Sequence, residues 1–136
     1  MIDAVTLKRW IEKLGWETAS EGKATFRLHR RAGEAPATNS DASALPPFFV
    51  QWSENWVLLS MLPVLGNGDV VPDELPRRLL SVNRDMRIVK FALGQDDEVV
   101  LCAELPTESL QYAELADAVS RLVEYYRHYR DYLLRP

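Results

Sequence analysis

The chain has one cysteine, Cys102, and two histidines, His29 and His128, in 136 residues. A single cysteine excludes an intramolecular disulfide framework and any cysteine-cluster metal site. Neither histidine has a sequence neighbour set up to orient it as a general base. No Gly-x-Ser-x-Gly elbow of a serine hydrolase occurs. Gly66 and Gly68 lack the third glycine and the lysine of a phosphate-binding loop. The acidic run Asp96-Asp97-Glu98 lacks the alternating ligands and the glycine of a calcium loop, and reads as a solvated hairpin tip. No apolar run approaches the roughly 20 residues that span a bilayer. The opening Met1-Ile2-Asp3-Ala4 lacks the charged-then-apolar layout of a secretory signal. A basic surplus is missing too: 16 Lys+Arg against 20 Asp+Glu leave a net charge of −4, which argues against a general nucleic-acid binder. The expectation is a cytoplasmic protein that uses no cofactor and no metal, binds neither nucleic acid nor membrane, and is not an enzyme.

What is present suits one folded domain over 1–136. Hydrophobic residues at 47% and charged residues at 26% match an average soluble domain and exclude wholesale disorder. Leu7, Trp10, Ile11 and Leu14 recur at helical steps, so the spacing predicts a helix over 4–14 with Asp3 as its N-cap and Gly15 as its stop. Residues 24–30 alternate, with Phe26 and Leu28 on one side and Thr25, Arg27 and His29 on the other, as in a half-buried strand. Residues 16–19 before it are either a short additional strand or an extended approach. Segment 31–46 has Leu45 as its only large apolar residue and reads as a mobile loop, since it buries too little to offset its ordering entropy.

Residues 48–52 and 56–64 are aromatic and β-branched enough for two strands, joined tightly at Ser53-Glu54-Asn55. Their nearly continuous apolar character implies strands covered on both faces, or one face awaiting a partner. Asp73-Glu74 followed by Pro76 opens a second helix, with Leu75, Leu79, Leu80 and Val82 on its buried side and Asn83 as its stop. Residues 88–93 and 99–105 flank Gly94-Gln95-Asp96-Asp97 as a hairpin. Leu115, Val119, Leu122, Tyr126, Tyr129 and Leu133 then recur at alternating steps of four and three. That seam predicts a long final helix, about 36 Å from end to end. The order α-β-β-β-α-β-β-α describes an α+β domain with three helices on a mostly antiparallel five-stranded sheet.

Several residue types invite a chemical reading and have a plainer one. Cys102 lies between Leu101 and Ala103 in an apolar strand, with nothing to lower its pKa, and reads as a packed small residue. The tract from Tyr125 to Tyr132 interleaves tyrosine with arginine as single-strand nucleic-acid binders do. Its place on the helical seam and the acidic balance favour packing or a protein interface. The four tryptophans fit a core first and a protein-recognition surface second.

The order of elements, Leu79-Leu80-Ser81-Val82-Asn83, Phe91, the strand Val99-Val100-Leu101-Cys102-Ala103-Glu104-Leu105-Pro106 and the helix bearing Leu115, Val119 and Leu122 together resemble the type III secretion chaperone-like fold, and more closely its YbjN-like branch. The resemblance is clearest over 73–133. It implies a small acidic cytoplasmic homodimer without enzymatic activity. In the secretion chaperones of this group, an extended effector segment is held against apolar patches, and the middle helix with the following strand often forms the dimer contact. Carried over by position, Leu79, Val82, Met86 and Ile88 become the dimer candidates. Trp10, Leu14, Phe48, Val50 and Trp52 become the partner-binding candidates. YbjN-like members are instead tied to regulation of sensory or stress responses. The expected function is therefore a non-catalytic protein-binding module, chaperone-like or regulatory, with a protein client or effector segment as partner. A small-ligand-binding sensor and a structural subunit of one complex are the alternatives.

Overall fold

The computed structural model describes residues 1–30, 45–65 and 68–136. Most of the expected loop at 31–46 lies outside those residues, as do Gly66 and Asn67 of the expected break after the fourth strand. Three helices and six strands follow in the order α1 (Ala4–Lys13), β1 (Trp16–Ser20), β2 (Thr25–Arg30), β3 (Phe48–Trp52), β4 (Trp56–Met61), α2 (Leu75–Asp85), β5 (Lys90–Leu93), β6 (Val99–Pro106) and α3 (Tyr112–Leu134). The sheet runs β1-β2-β3-β4-β6-β5, and every neighbouring pair is antiparallel. The sixth strand is β1, the segment that sequence left between strand and extended approach. Its alternation is weak because Glu17 and Ala19 on one side face Thr18 and Ser20 on the other, all of them small or polar.

Local chemistry explains the helix ends. The Asp3 carboxylate accepts from the Thr6 amide at 2.8 Å, and its pKa lies below the ordinary aspartate value chiefly because of that bond. Gly15 takes φ 102°, a region costly for a residue with a Cβ, and α1 ends there. At α3, the Gln111 amide donates to Glu114 Oε1 at 2.9 Å while the Gln111 side chain accepts from the third-residue amide, which makes a capping box.

One face of the sheet carries the core. Val57, Leu59 and Met61 of β4 point to the same side as Phe48 and Val50 of β3 and Leu101 and Ala103 of β6, and all are buried. Leu7 and Ile11 of α1, Val82 of α2, and Leu115, Ala118, Leu122 and Leu133 of α3 pack into the same cluster. The seam read from α3 is therefore largely the buried one, with Tyr126 inside and Tyr129 half-buried at its margin. The alternate residues Phe49, Leu58, Val100 and Cys102 face the other side and line a shallow depression there. The near-continuous apolar strands thus belong to a sheet with one helix-covered face and one face that, among the described residues, no helix or strand covers.

Thr107 ties the strand ends together. Its buried hydroxyl donates to Glu54 O at 2.6 Å and its amide to Asn55 O at 3.0 Å, so the end of β6 is pinned to the β3–β4 turn. Both donors are satisfied in a place that water does not reach.

Candidate functional site

The middle helix α2 is amphipathic, and its inner side holds Leu75 and Val82 in the core. Leu80, expected on that side, is 73% exposed. The helical step explains the difference: Leu75, Leu79 and Val82 share a stripe, and Leu80 falls about 100° round the helix from Leu79. Next to it stand Leu93 of β5, 65% exposed, and Val71, 53% exposed. Together with Leu79, Phe91 and Val99 these residues line an open groove of about 490 Å³ between α2 and the β5–β6 hairpin. Its few polar lining groups are Asn83 and Asp97. Charges of both signs stand at each end of the helix: Asp73 and Glu74 precede a first turn that holds Arg77 and Arg78, and Arg84 pairs with Asp85 at 3.6 Å in the last, with Arg87 just beyond. Asp73, Glu74 and Arg84 suit the helix dipole, while Arg77, Arg78 and Asp85 oppose it.

The junction from α2 into β5 is tied by several contacts. Asn83 does not stop the helix, which continues to Asp85. Its amide instead makes two bonds to one residue of β5: Phe91 N donates to Oδ1 at 2.8 Å, and Nδ2 donates to Phe91 O at 3.0 Å. Lys90 Nζ donates to Asn83 O at 2.6 Å and Met86 O at 2.7 Å, and the Arg87 guanidinium donates to Arg84 O at 3.2 Å and Met86 O at 3.0 Å. Two cations thereby satisfy the last carbonyls of α2. Residue 88, expected in the strand, forms a turn: Ile88 has φ 71° and Val89 N donates to Arg87 O at 2.7 Å across it. A three-residue turn with positive φ at a β-branched residue is rare and strained. Tyr125 of α3 supports the junction, its hydroxyl accepting from Arg87 N at 3.2 Å and from Arg121 Nη1 at 3.0 Å.

Of the residues assigned to a dimer by resemblance, Leu79 lines the groove and Ile88 is 48% exposed at the turn. Val82 and Met86 are buried in the core and have no surface to offer. Among the partner-binding candidates, Phe48 and Val50 are likewise buried. Trp10 and Trp52 are half-buried, the first edge-on to Tyr112 at 5.9 Å, the second donating from Nε1 to Ile2 O at 3.0 Å. Leu14 lines a second, shallower groove with Trp16, Val119 and Val123, where α1, β1 and α3 meet, rimmed by Glu124 and Arg127. The signals missed in sequence were Leu93 and Val71, whose apolar character is identical to that of their buried neighbours.

The remaining reactive groups are dispersed. Cys102 lies partly buried on the open face, and its thiol pKa is raised first by burial and then by the Glu104 carboxylate. His29 is exposed on β2, and His128 packs edge-on against Tyr129 at 4.6 Å. Among the described residues no group of three or more His, Cys, Asp and Glu could hold a metal ion, and no helix is long and apolar enough to cross a membrane.

Three helices on one face of this antiparallel sheet, with an apolar groove beside the middle helix, define a chaperone-like α+β fold of the kind found in type III secretion systems. By sequence the chain belongs to the YbjN family, described as "putative bacterial sensory transduction regulator", whose model matches residues 3–135. No curated protein matches it. Among solved structures it is similar to YbjN from E. coli, "a putative transcription regulator", at 18% identity and TM-score 0.64, covering 99% of this chain and 97% of that one. A chain of the heterodimeric ExoU–SpcU complex from the type III secretion system of Pseudomonas aeruginosa matches at 23% identity and TM-score 0.57, covering 94% of each chain. A chain of the ExsC–ExsE complex matches at 15% identity and TM-score 0.61, covering 99% and 98%. At these identities the likeness is one of fold.

Proposed function

We propose that this chain is a non-catalytic, cytoplasmic protein-binding module, chaperone-like or regulatory, that self-associates through the α2 groove. It would hold an apolar segment of a client polypeptide where Leu14, Trp16 and Val123 meet. The observation that carries the reading is the α2 groove itself: its lining is almost wholly apolar, and Leu80 and Leu93 stand exposed on its walls. Exposed apolar surface of this kind marks a contact with another macromolecule. A small-ligand sensor would need an enclosed chamber with converging polar groups, and this groove is open along one side. Charge supports a second copy as the occupant. Two α2 helices crossing antiparallel about Leu80 bring Asp73 and Glu74 of one chain toward Arg87 of the other and Asp85 toward Arg77, contacts that the two-fold makes twice. The two-protein complexes among the structural relatives support the client half of the reading.

Light scattering tests the first half. The wild type is expected at twice its 15.5 kDa mass, and Leu80→Asp at the monomer mass with the circular dichroism spectrum of the wild type, because Leu80 lies outside the core. A wild type that is monomeric at every concentration, or a Leu80→Asp variant that stays dimeric, would refute the α2 contact. For the client half, a reduced and alkylated, permanently unfolded polypeptide serves as the probe. Its binding should survive Leu80→Asp and be lost in Val123→Asp; equal binding by both variants would place the client elsewhere.

A further inference from the structure

We infer that Asn83 stands in for a neighbouring strand at β5 and closes this edge of the sheet to strand addition, so that the adjoining groove is filled by side chains of a second copy's α2. The closure rests on the hydrogen bonding alone; the identity of the occupant rests on the self-association proposed above.

The ladder fixes which way the β5 backbone faces. Gly94 N donates to Glu98 O at 2.8 Å, which makes these opposed residues a bonded position of the hairpin, while Gly94 O accepts from Asp97 N at 3.2 Å in the turn. In an antiparallel ladder bonded and non-bonded pairs alternate. In the observed register the bonded pairs are therefore Ala92 with Val100 and Lys90 with Cys102. Phe91 and Leu93 then turn their N–H and C=O groups away from β6, toward the outside of the terminal strand. Such a row is a template for any extended segment, and here it lies beside the exposed side chains of Leu80 and Leu93.

The row is already occupied where it would matter. A side-chain amide is a peptide group in miniature, with one acceptor and one donor on the same plane. Asn83 presents both to Phe91, at 2.8 and 3.0 Å, as a paired strand residue would. Two residues earlier, the Val89 amide is spent on Arg87 O across the Ile88 turn. The Lys90 ammonium, bound to Asn83 O and Met86 O, anchors the end of α2 alongside the strand. Among the described residues that leaves the outward pair at Leu93, and a single residue makes no ladder. The apolar groove can thus stay exposed in a free chain without recruiting β-strands, and what enters it must do so through side chains.

The test replaces Asn83→Leu, which deletes both bonds at similar volume, alone and with Leu80→Asp. Loss of the pair should speed exchange of the Phe91 amide about tenfold. It should also produce assemblies larger than a dimer that grow with concentration and show an intermolecular β-sheet infrared band. The assemblies should form in the Leu80→Asp background too and be suppressed by Leu93→Pro, which removes the outward donor and leaves the β6 ladder intact. An Asn83→Leu protein that is folded, of wild-type mass and without that band would overturn the closure. Should Asn83→Leu fail to fold, Asn83→Ala decides: it deletes both bonds without adding bulk or charge, so the same assemblies are expected, and their absence overturns the inference. A dimeric Leu80→Asp single variant would instead sink the occupant alone.

Discussion

The strained turn at Ile88 can be tested by comparing two truncations at the same position. Ile88→Ala and Ile88→Gly both delete the half-exposed side chain, so the difference between them isolates the backbone. At φ 71° an L-residue with a Cβ carries about 1–2 kcal/mol of steric cost that glycine escapes. Glycine loses about 0.5–1 kcal/mol more backbone entropy on folding. The remainder favours the Ile88→Gly variant by about 0.5–1 kcal/mol, reversing the order of these residues in ordinary helices and strands. For a domain of this size that is a melting-temperature difference of about 2–4 °C. Urea unfolding followed by the fluorescence of the four tryptophans, at one fixed protein concentration because association shifts apparent stability, measures it. An Ile88→Ala variant as stable as Ile88→Gly, or more so, would refute the strain argument.

Arg78→Ala should loosen the end of α3, because Arg78 Nη1 donates to Tyr132 O at 3.1 Å, Leu133 O at 3.4 Å and Arg135 O, gathering the last carbonyls of that helix onto α2. A loss of about 1–2 kcal/mol is expected, with faster amide exchange confined to the final turn; unchanged exchange there would show that the contacts carry no stability. Burial and Glu104 both favour the neutral Cys102 thiol, so its reactivity should emerge only as pH rises through a value above the usual thiol range. At pH 8 iodoacetamide should therefore react more slowly with the folded protein than with the urea-unfolded chain. Glu104→Gln should speed the folded reaction without matching the unfolded rate, since burial is the larger cause. Folded and unfolded rates that coincide would contradict the assignment.

Much of the fold was legible in the sequence. The Asp3 cap, the Gly15 stop, the Leu115–Leu133 seam and the 93–99 hairpin depend on near neighbours in the chain, and each appears where the pattern predicts it. The site was less legible. Leu80 and Leu93 belong to apolar runs whose other members are buried, and nothing in their identity separates exposed from covered leucine. Val82, Met86, Phe48 and Val50 carry the side chains of a good interface, yet the core takes them first. Asn83 looks like a helix terminator until Phe91, eight residues on, supplies its partner.

Periodicity, caps and turn residues act over a few residues, and so the sequence by itself determined the number and order of the elements, apart from the status of β1. Which leucines face water, which face of the sheet stays open, and which edge is closed are settled only when segments distant in sequence compete for the same surface. The side of a helix that faces the sheet is covered, and the side turned away stays in water. That competition, decided by tertiary packing, buried Val82 and left Leu80, about 200° round the same helix, exposed.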